Sequence, residues 1–158
     1  MSLDGFVRCN CVRDGKAKPH PFAKRLTFDE TGEPELTGDP TDDEWEAHDV
    51  WAAEACEHGG YLLSLFLGNI TRVKNLRSFL GKLEDDPGPK FPILLEKVLY
   101  DGTHTGDWVP SEETAALLKE VETVLHSRDI LSSSEMEFFE NMKQLCEAGL
   151  ATGNPVMF

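Results

Sequence analysis

The amino-acid sequence predicts an α+β fold: a mainly helical single domain over residues 1–158, with a small antiparallel sheet from the N-terminal strands and the C-terminus as a candidate further strand. Three observations carry that expectation. Apolar residues recur at three- and four-residue spacing in several long segments, the mark of amphipathic helices. Near the N-terminus the apolar residues alternate with polar ones instead, the mark of a strand. A chain of 158 residues with 40% hydrophobic content is enough for one packed core.

Gly5 to Val12 places Val7, Cys9 and Cys11 on one face and Phe6, Arg8 and Asn10 on the other, and Asp14-Gly15 signals a turn. Residues 16–24 contain Pro19 and Pro21 and are expected to be irregular. Arg25 to Asp29 reads as a second short strand, a candidate partner of the first. Residues 30–40, with Gly32, Pro34, Gly38 and Pro40, are expected to form a mobile loop. Thr41 followed by Glu44 fits a capping box that starts a helix running to about Cys56, with Trp45, His48, Ala52, Ala55 and Cys56 on one stripe. Gly59-Gly60 ends it. Tyr61 to Leu67 is expected to be a short apolar helix, closed by Gly68-Asn69.

Ile70, Val73, Leu76, Phe79, Leu80 and Leu83 define an amphipathic helix expected at the centre of the core. After the break at residues 86–89, Pro92 suits the first turn of a helix to about Tyr100. Residues 101–110 form a polar loop. Ser111 begins a further helix with Leu117, Leu118, Val121, Val124 and Leu125 in its stripe. Ser134 and Glu137 suggest a second capping box, opening a last helix with Phe138, Phe139, Met142, Leu145 and Cys146 on one face. Gly149 and Gly153 end that helix, and residues 154–158 suit a final edge strand.

The net charge of −14 disfavours binding to a phosphate backbone, so no nucleic-acid partner is expected. No apolar run reaches the ~20 residues of a membrane span. The first residues lack a basic segment followed by an apolar one, so the expected location is cytoplasmic. The acids are concentrated: residues 29–57 carry twelve and no Lys or Arg, whereas residues 1–28 carry six basic and two acidic side chains. This pattern suits a surface that binds a basic protein partner, as in small acidic immunity proteins, with Asp42, Asp43, Glu44 and Glu46 as candidate contacts. A solvated acidic face is the plainer interpretation.

Cys9-x-Cys11 and Cys56-x-His58 together make a Cys₃His set whose donor chemistry suits tetrahedral zinc. Two considerations weigh against it. On a regular strand the Cys9 and Cys11 sulfurs are about 7 Å apart, and Cys56 falls on an apolar helical stripe where a free thiol packs as a small core residue. Inert thiols, no metal and no cofactor are therefore expected. An enzyme or ligand-binding alternative uses the loop at 101–107, where Asp107 would orient His104 as a general base beside Asp101, with His58 nearby and with or without a metal. Asp and Thr side chains bonded to turn amides explain that loop equally simply. His48 suits a hydrogen-bonded core residue, and His20 and His126 carry little signal.

Segments spread over most of the chain resemble a family of small bacterial proteins whose function is uncharacterised. They are S-L-D-G at 2–5 followed by C-N-C at 9–11, A-C-E-H at 55–58, L-G-N-I at 67–70, F-P-I-L-L-E-K-V-L-Y at 91–100 and D-G-T-H-T-G-D at 101–107. The resemblance implies a bacterial cytosolic protein and supplies no activity, cofactor or catalytic residue. It directs attention to the segments holding Cys9, Cys11, Cys56, His58, His104 and Asp107.

Overall fold

A computed structural model describes residues 2–85, 88–100 and 107–158. The fold is α+β, as the periodicities predict. Strand β1 (Ser2–Arg8) turns Leu3, Gly5 and Val7 inward. The chain then passes through a turn and a short 3-10 segment to the hairpin β2 (Leu26–Phe28) and β3 (Pro34–Leu36). Helix α1 (Asp42–Glu54) follows, then β4 (Tyr61–Asn69) and α2 (Ile70–Leu83). A π-helical segment, Leu94–Val98, precedes β5 (Trp108–Val109), α3 (Ser111–Leu125), α4 (Ser133–Thr152) and β6 (Val156–Met157). The main sheet is antiparallel with strand order β4-β1-β6-β5, and β2-β3 form a separate pair.

Helices α2, α3 and α4 supply most of the core against one face of the sheet. Val73, Leu76 and Leu80 from α2 join Leu117, Val121 and Val124 from α3 and Phe138, Phe139, Met142 and Leu145 from α4 in one buried cluster. Gly5 allows α4 to approach β1: a Cβ there would lie 2.5 Å from Leu145 Cδ1 and 2.9 Å from Leu67 Cδ1. The Arg77 guanidinium closes the segment after Leu94 by donating to the carbonyls of Leu95, Leu99 and Tyr100 at 3.2, 3.1 and 2.7 Å.

Several expectations need correction. Tyr61–Asn69 is a strand, paired along its length with β1; a short continuous apolar run has no periodicity to distinguish strand from helix. The Leu26–Phe28 strand pairs with Pro34–Leu36 and not with β1, so the segment 30–40 contains a strand. The C-terminal strand is interior, between β1 and β5. The first strand stops at Arg8, four residues before Val12, and α1 stops at Glu54, two residues before Cys56. The second capping box is Ser132 with Glu135: Ser132 Oγ accepts from Glu135 N, and the Glu135 carboxylate accepts from Ser132 N at 2.7 Å. Glu137, offset by two, pairs with Arg72 instead. The box at Thr41 and Glu44 forms as expected.

Candidate metal centre

The end of β1 and the end of α1 meet at one place because both chains turn there. Beyond Arg8, Asn10 starts a tight turn in which Asp14 N donates to Asn10 O at 2.8 Å, and Lys16 N donates to Cys11 O at 2.8 Å. Buried Asn154, just past α4, holds this turn in place, donating from Nδ2 to Arg8 O at 2.8 Å and to Asn10 Oδ1 at 2.9 Å. On the other side, Cys56 O accepts from Gly59 N at 3.1 Å, and His58 O accepts from Tyr61 N at 3.2 Å. Gly59 and Gly60 have φ of +56° and +88°, a consecutive left-handed pair that only glycine adopts at no steric cost. The two turns are joined by Cys9 N donating to Gly60 O at 3.1 Å and Lys18 N donating to Ala55 O at 2.7 Å.

These turns bring Cys9, Cys11, Cys56 and His58 together, with one donor atom of each within 4.8 Å of all the others. The Cys9 and Cys56 sulfurs are 3.6 Å apart, and Cys11 Sγ lies 3.2 Å from His58 Nδ1. The thiols are free, and 3.6 Å is far beyond a disulfide bond. Zn–S of about 2.3 Å and Zn–N of about 2.0 Å in a tetrahedron put donors about 3.5–3.8 Å from one another. The Cys9–Cys56 separation matches that range, the Cys11–His58 separation is slightly shorter, and the other pairs lie within 4.8 Å. Both reasons for expecting no metal therefore fail. The strand ends before Cys9, so the 7 Å separation of a flat strand does not apply, and Cys56 belongs to a turn and not to a helical stripe.

The electrostatics are those of crowded sulfurs. Burial pushes the Cys56 thiol up, but the backbone N–H groups of Gly60 and His58 donate to its sulfur and, with the thiols of Cys9 and Cys11, bring it down to about 7. Burial, then the Cys9 and Cys56 sulfurs, push Cys11 up to about 12. One proton leaves readily and the next is held, because a second thiolate would face the first. A divalent cation removes that repulsion and takes both as ligands.

The other predicted residues are dispersed. Asp42, Asp43 and Glu46 are exposed near the start of α1, and Asp42 is about 18 Å along the helix axis from its last residue. Glu44 is committed internally: it caps α1 and pairs with Arg25 at 2.7 Å. Asp107 accepts from the Tyr100 hydroxyl at 2.6 Å, and its carbonyl accepts from Phe158 N at 2.9 Å. Asp101 and His104 lie outside the described residues.

A cavity of about 300 Å³ adjoins the cluster, with Cys9 and Cys56 in its wall. Arg8, Arg13, Phe28, Trp51 and Tyr61 also line it, none of which the sequence singled out. Arg8 pairs with Glu33 and stands 5.0 Å over the Tyr61 ring. Arg13 stands 5.1 Å over Phe28 and donates to Asn154 Oδ1 at 2.9 Å. The alternation of Phe6, Arg8 and Asn10 opposite the core face was the one available signal. It placed Arg8 on the mostly polar face, whereas Arg8 is buried and paired with Glu33 between β2 and β3. Comparisons of the chain with protein-family models, with curated proteins and with solved structures gave no match.

Proposed function

We propose that this chain is a zinc-stabilised binding domain in which Cys9, Cys11, Cys56 and His58 hold a structural zinc. The observation that carries this reading is the convergence of four suitable donors from two turns within 4.8 Å. Four protein ligands complete a tetrahedron and leave no open position, which favours a structural over a catalytic ion. The zinc would tie the turn after β1 to the turn before β4, 47 residues apart in sequence. The test is elemental analysis of protein purified without added metal. About one zinc per chain is expected, lost in Cys9→Ser and in Cys56→Ser. Wild-type protein that carries no zinc and takes none up on dialysis against it would remove the reading.

A second reading concerns the solvent face of α1, where Asp42, Asp43, Glu46 and Asp49 are exposed together with Trp45 and Val50, at 41% and 60%. Exposed apolar side chains set among carboxylates support binding of a basic protein surface with an apolar centre. The variant Asp42→Asn, Asp43→Asn, Glu46→Gln leaves the Glu44 cap intact. Slower, less salt-dependent association with captured partners is expected. Unchanged rates and salt dependence would make this face merely solvated.

A further inference from the structure

The cavity beside the cysteines holds a positive charge that is incompletely satisfied. The Arg8 side chain is only 9% exposed, and its Nε is buried with no hydrogen-bond partner among the described residues. Glu33 takes only NH2 of the same guanidinium and is itself 48% exposed. A guanidinium offers Nε–H and N–H as a parallel fork that a carboxylate fills with two oxygens. Glu33 therefore shows that a carboxylate fits here, while leaving half of the fork unused. A buried, unpaired donor on a charged group is costly, so a ligand oxygen that reaches it has a strong driving force.

The rest of the wall decides the ligand's body. Phe28, Trp51 and Tyr61 line the cavity, with Ala52 and Ala55 between them. The Trp51 indole is anchored by donating to Lys18 O at 2.9 Å, so this wall is set before anything binds. His48 also lines the cavity. His20 Nδ1 accepts from Phe22 N at 2.8 Å, so its proton sits on Nε2, which faces His48 Nδ1 at 3.0 Å. That fixes His48 in the tautomer with a proton on Nε2, a further donor among the lining residues. The lining combines aromatic and small apolar side chains with charged ones, Arg8, Arg13, Glu33 and Asp49, so apolar contact can hold a ligand's body while the cations orient an anionic group.

We propose that this cavity binds a small organic carboxylate with a flat apolar body, its two oxygens on the Arg8 fork and its body against Phe28, Trp51 and Tyr61. Glu33 is a tethered competitor that the ligand displaces into solvent. The assignment shares Cys9 and Cys56 with the proposed zinc site but does not depend on zinc being bound.

The test uses zinc-supplemented, isotope-labelled full-length protein, with zinc content measured on each sample. Benzoate is the probe and inorganic phosphate the comparison anion. Benzoate should give saturable shifts at the Trp51 indole N–H and the Gly60 amide. Glu33→Gln, which removes the competing carboxylate and leaves Arg8 and the aromatic lining unchanged, should tighten benzoate by about tenfold, because the open site is no longer a minor population. Arg8→Gln should abolish binding. No saturable shift in either wild type or Glu33→Gln overturns the proposal, and phosphate binding there more tightly than benzoate overturns the ligand class. Zinc-loaded protein that takes no benzoate defeats the pocket and leaves the metal reading intact. Zinc-free protein that binds benzoate supports the pocket and defeats the metal reading.

Discussion

The smallest scale at which this chain makes a measurable commitment is the imidazole pair His20 and His48, 7% and 6% exposed. Burial, and then the charge of His48, lower the His20 pKa from 6.5. The sign follows from linkage. The unfolded chain takes up a proton at His20 near pH 6.5, while the folded chain resists until a lower pH. Between those two pH values the unfolded state binds more protons, so stability is full above about pH 6.5 and falls as pH drops toward the folded value, by at most about 1.4 kcal/mol per pH unit. His20→Gln should flatten that slope. The zinc ligands are the same in both proteins, so the difference between their urea-unfolding profiles isolates His20. Parallel profiles would show that His20 titrates alike folded and unfolded. Nothing in the local sequence marks His20, because its partner is 28 residues away.

At the scale of elements, α2 and the β1–α4 contact can be tested independently. Leu76 is fully buried in the core cluster that also holds residues of α3 and α4. Leu76→Ala should destabilise by roughly 2–5 kcal/mol in denaturant unfolding, the usual cost of a large-to-small core change. A loss below about 0.5 kcal/mol, the range of ordinary surface substitutions, would put α2 at the periphery. Gly5→Ala tests the opposite error, overpacking. Its new Cβ meets Leu145 and Leu67 side chains, which must move or push β1 and α4 apart. A destabilisation of about 1–3 kcal/mol is expected, and an unchanged urea midpoint would mean that the two leucines re-pack freely. The stripe of α2 was legible because a 14-residue helix repeats its pattern several times. Strand β4 was not, since its nine residues carry exposed Leu62 and Phe66 as well as inward Leu63, Leu65 and Leu67.

For the whole molecule, the proposed zinc acts as a cross-link between the N-terminal turn and the centre of the chain. A ligand that binds only the folded state adds stability by mass action, about 4 kcal/mol when free zinc is a thousandfold above its dissociation constant. Unfolding midpoints in a zinc buffer and in excess chelator should therefore differ by that order, and the difference should vanish in Cys56→Ser. Equal midpoints in the wild type would mean that the cluster holds no ion under either condition. The net charge of −14 acts at the same scale: the exposed Asp42, Asp43 and Glu46 lie near the start of α1, at the far end of the helix from the cysteines. Metal binding and any association through the acidic face should then be separable, each surviving loss of the other.

The residues of the proposed metal centre were all visible in the sequence as two pairs, and their donor chemistry was legible from residue type alone. So were the helices, the cap at Thr41 and the α+β class, because each depends on side chains close in sequence and on a repeating period. The convergence of the pairs was not legible. It depends on β1 ending at Arg8 and α1 ending at Glu54, one or two residues before the first ligand of each pair. Local pattern is weakest at such boundaries. What ends β1 lies at the far end of the chain: Asn154 takes the Arg8 carbonyl and the Asn10 side chain, while β6 pairs beside Phe6. Likewise, Arg8 became a buried, half-satisfied cation only when the β2-β3 hairpin brought Glu33 over it. Periodicity registers which face of an element is apolar. Which distant segment covers its other face is decided only when the whole chain packs.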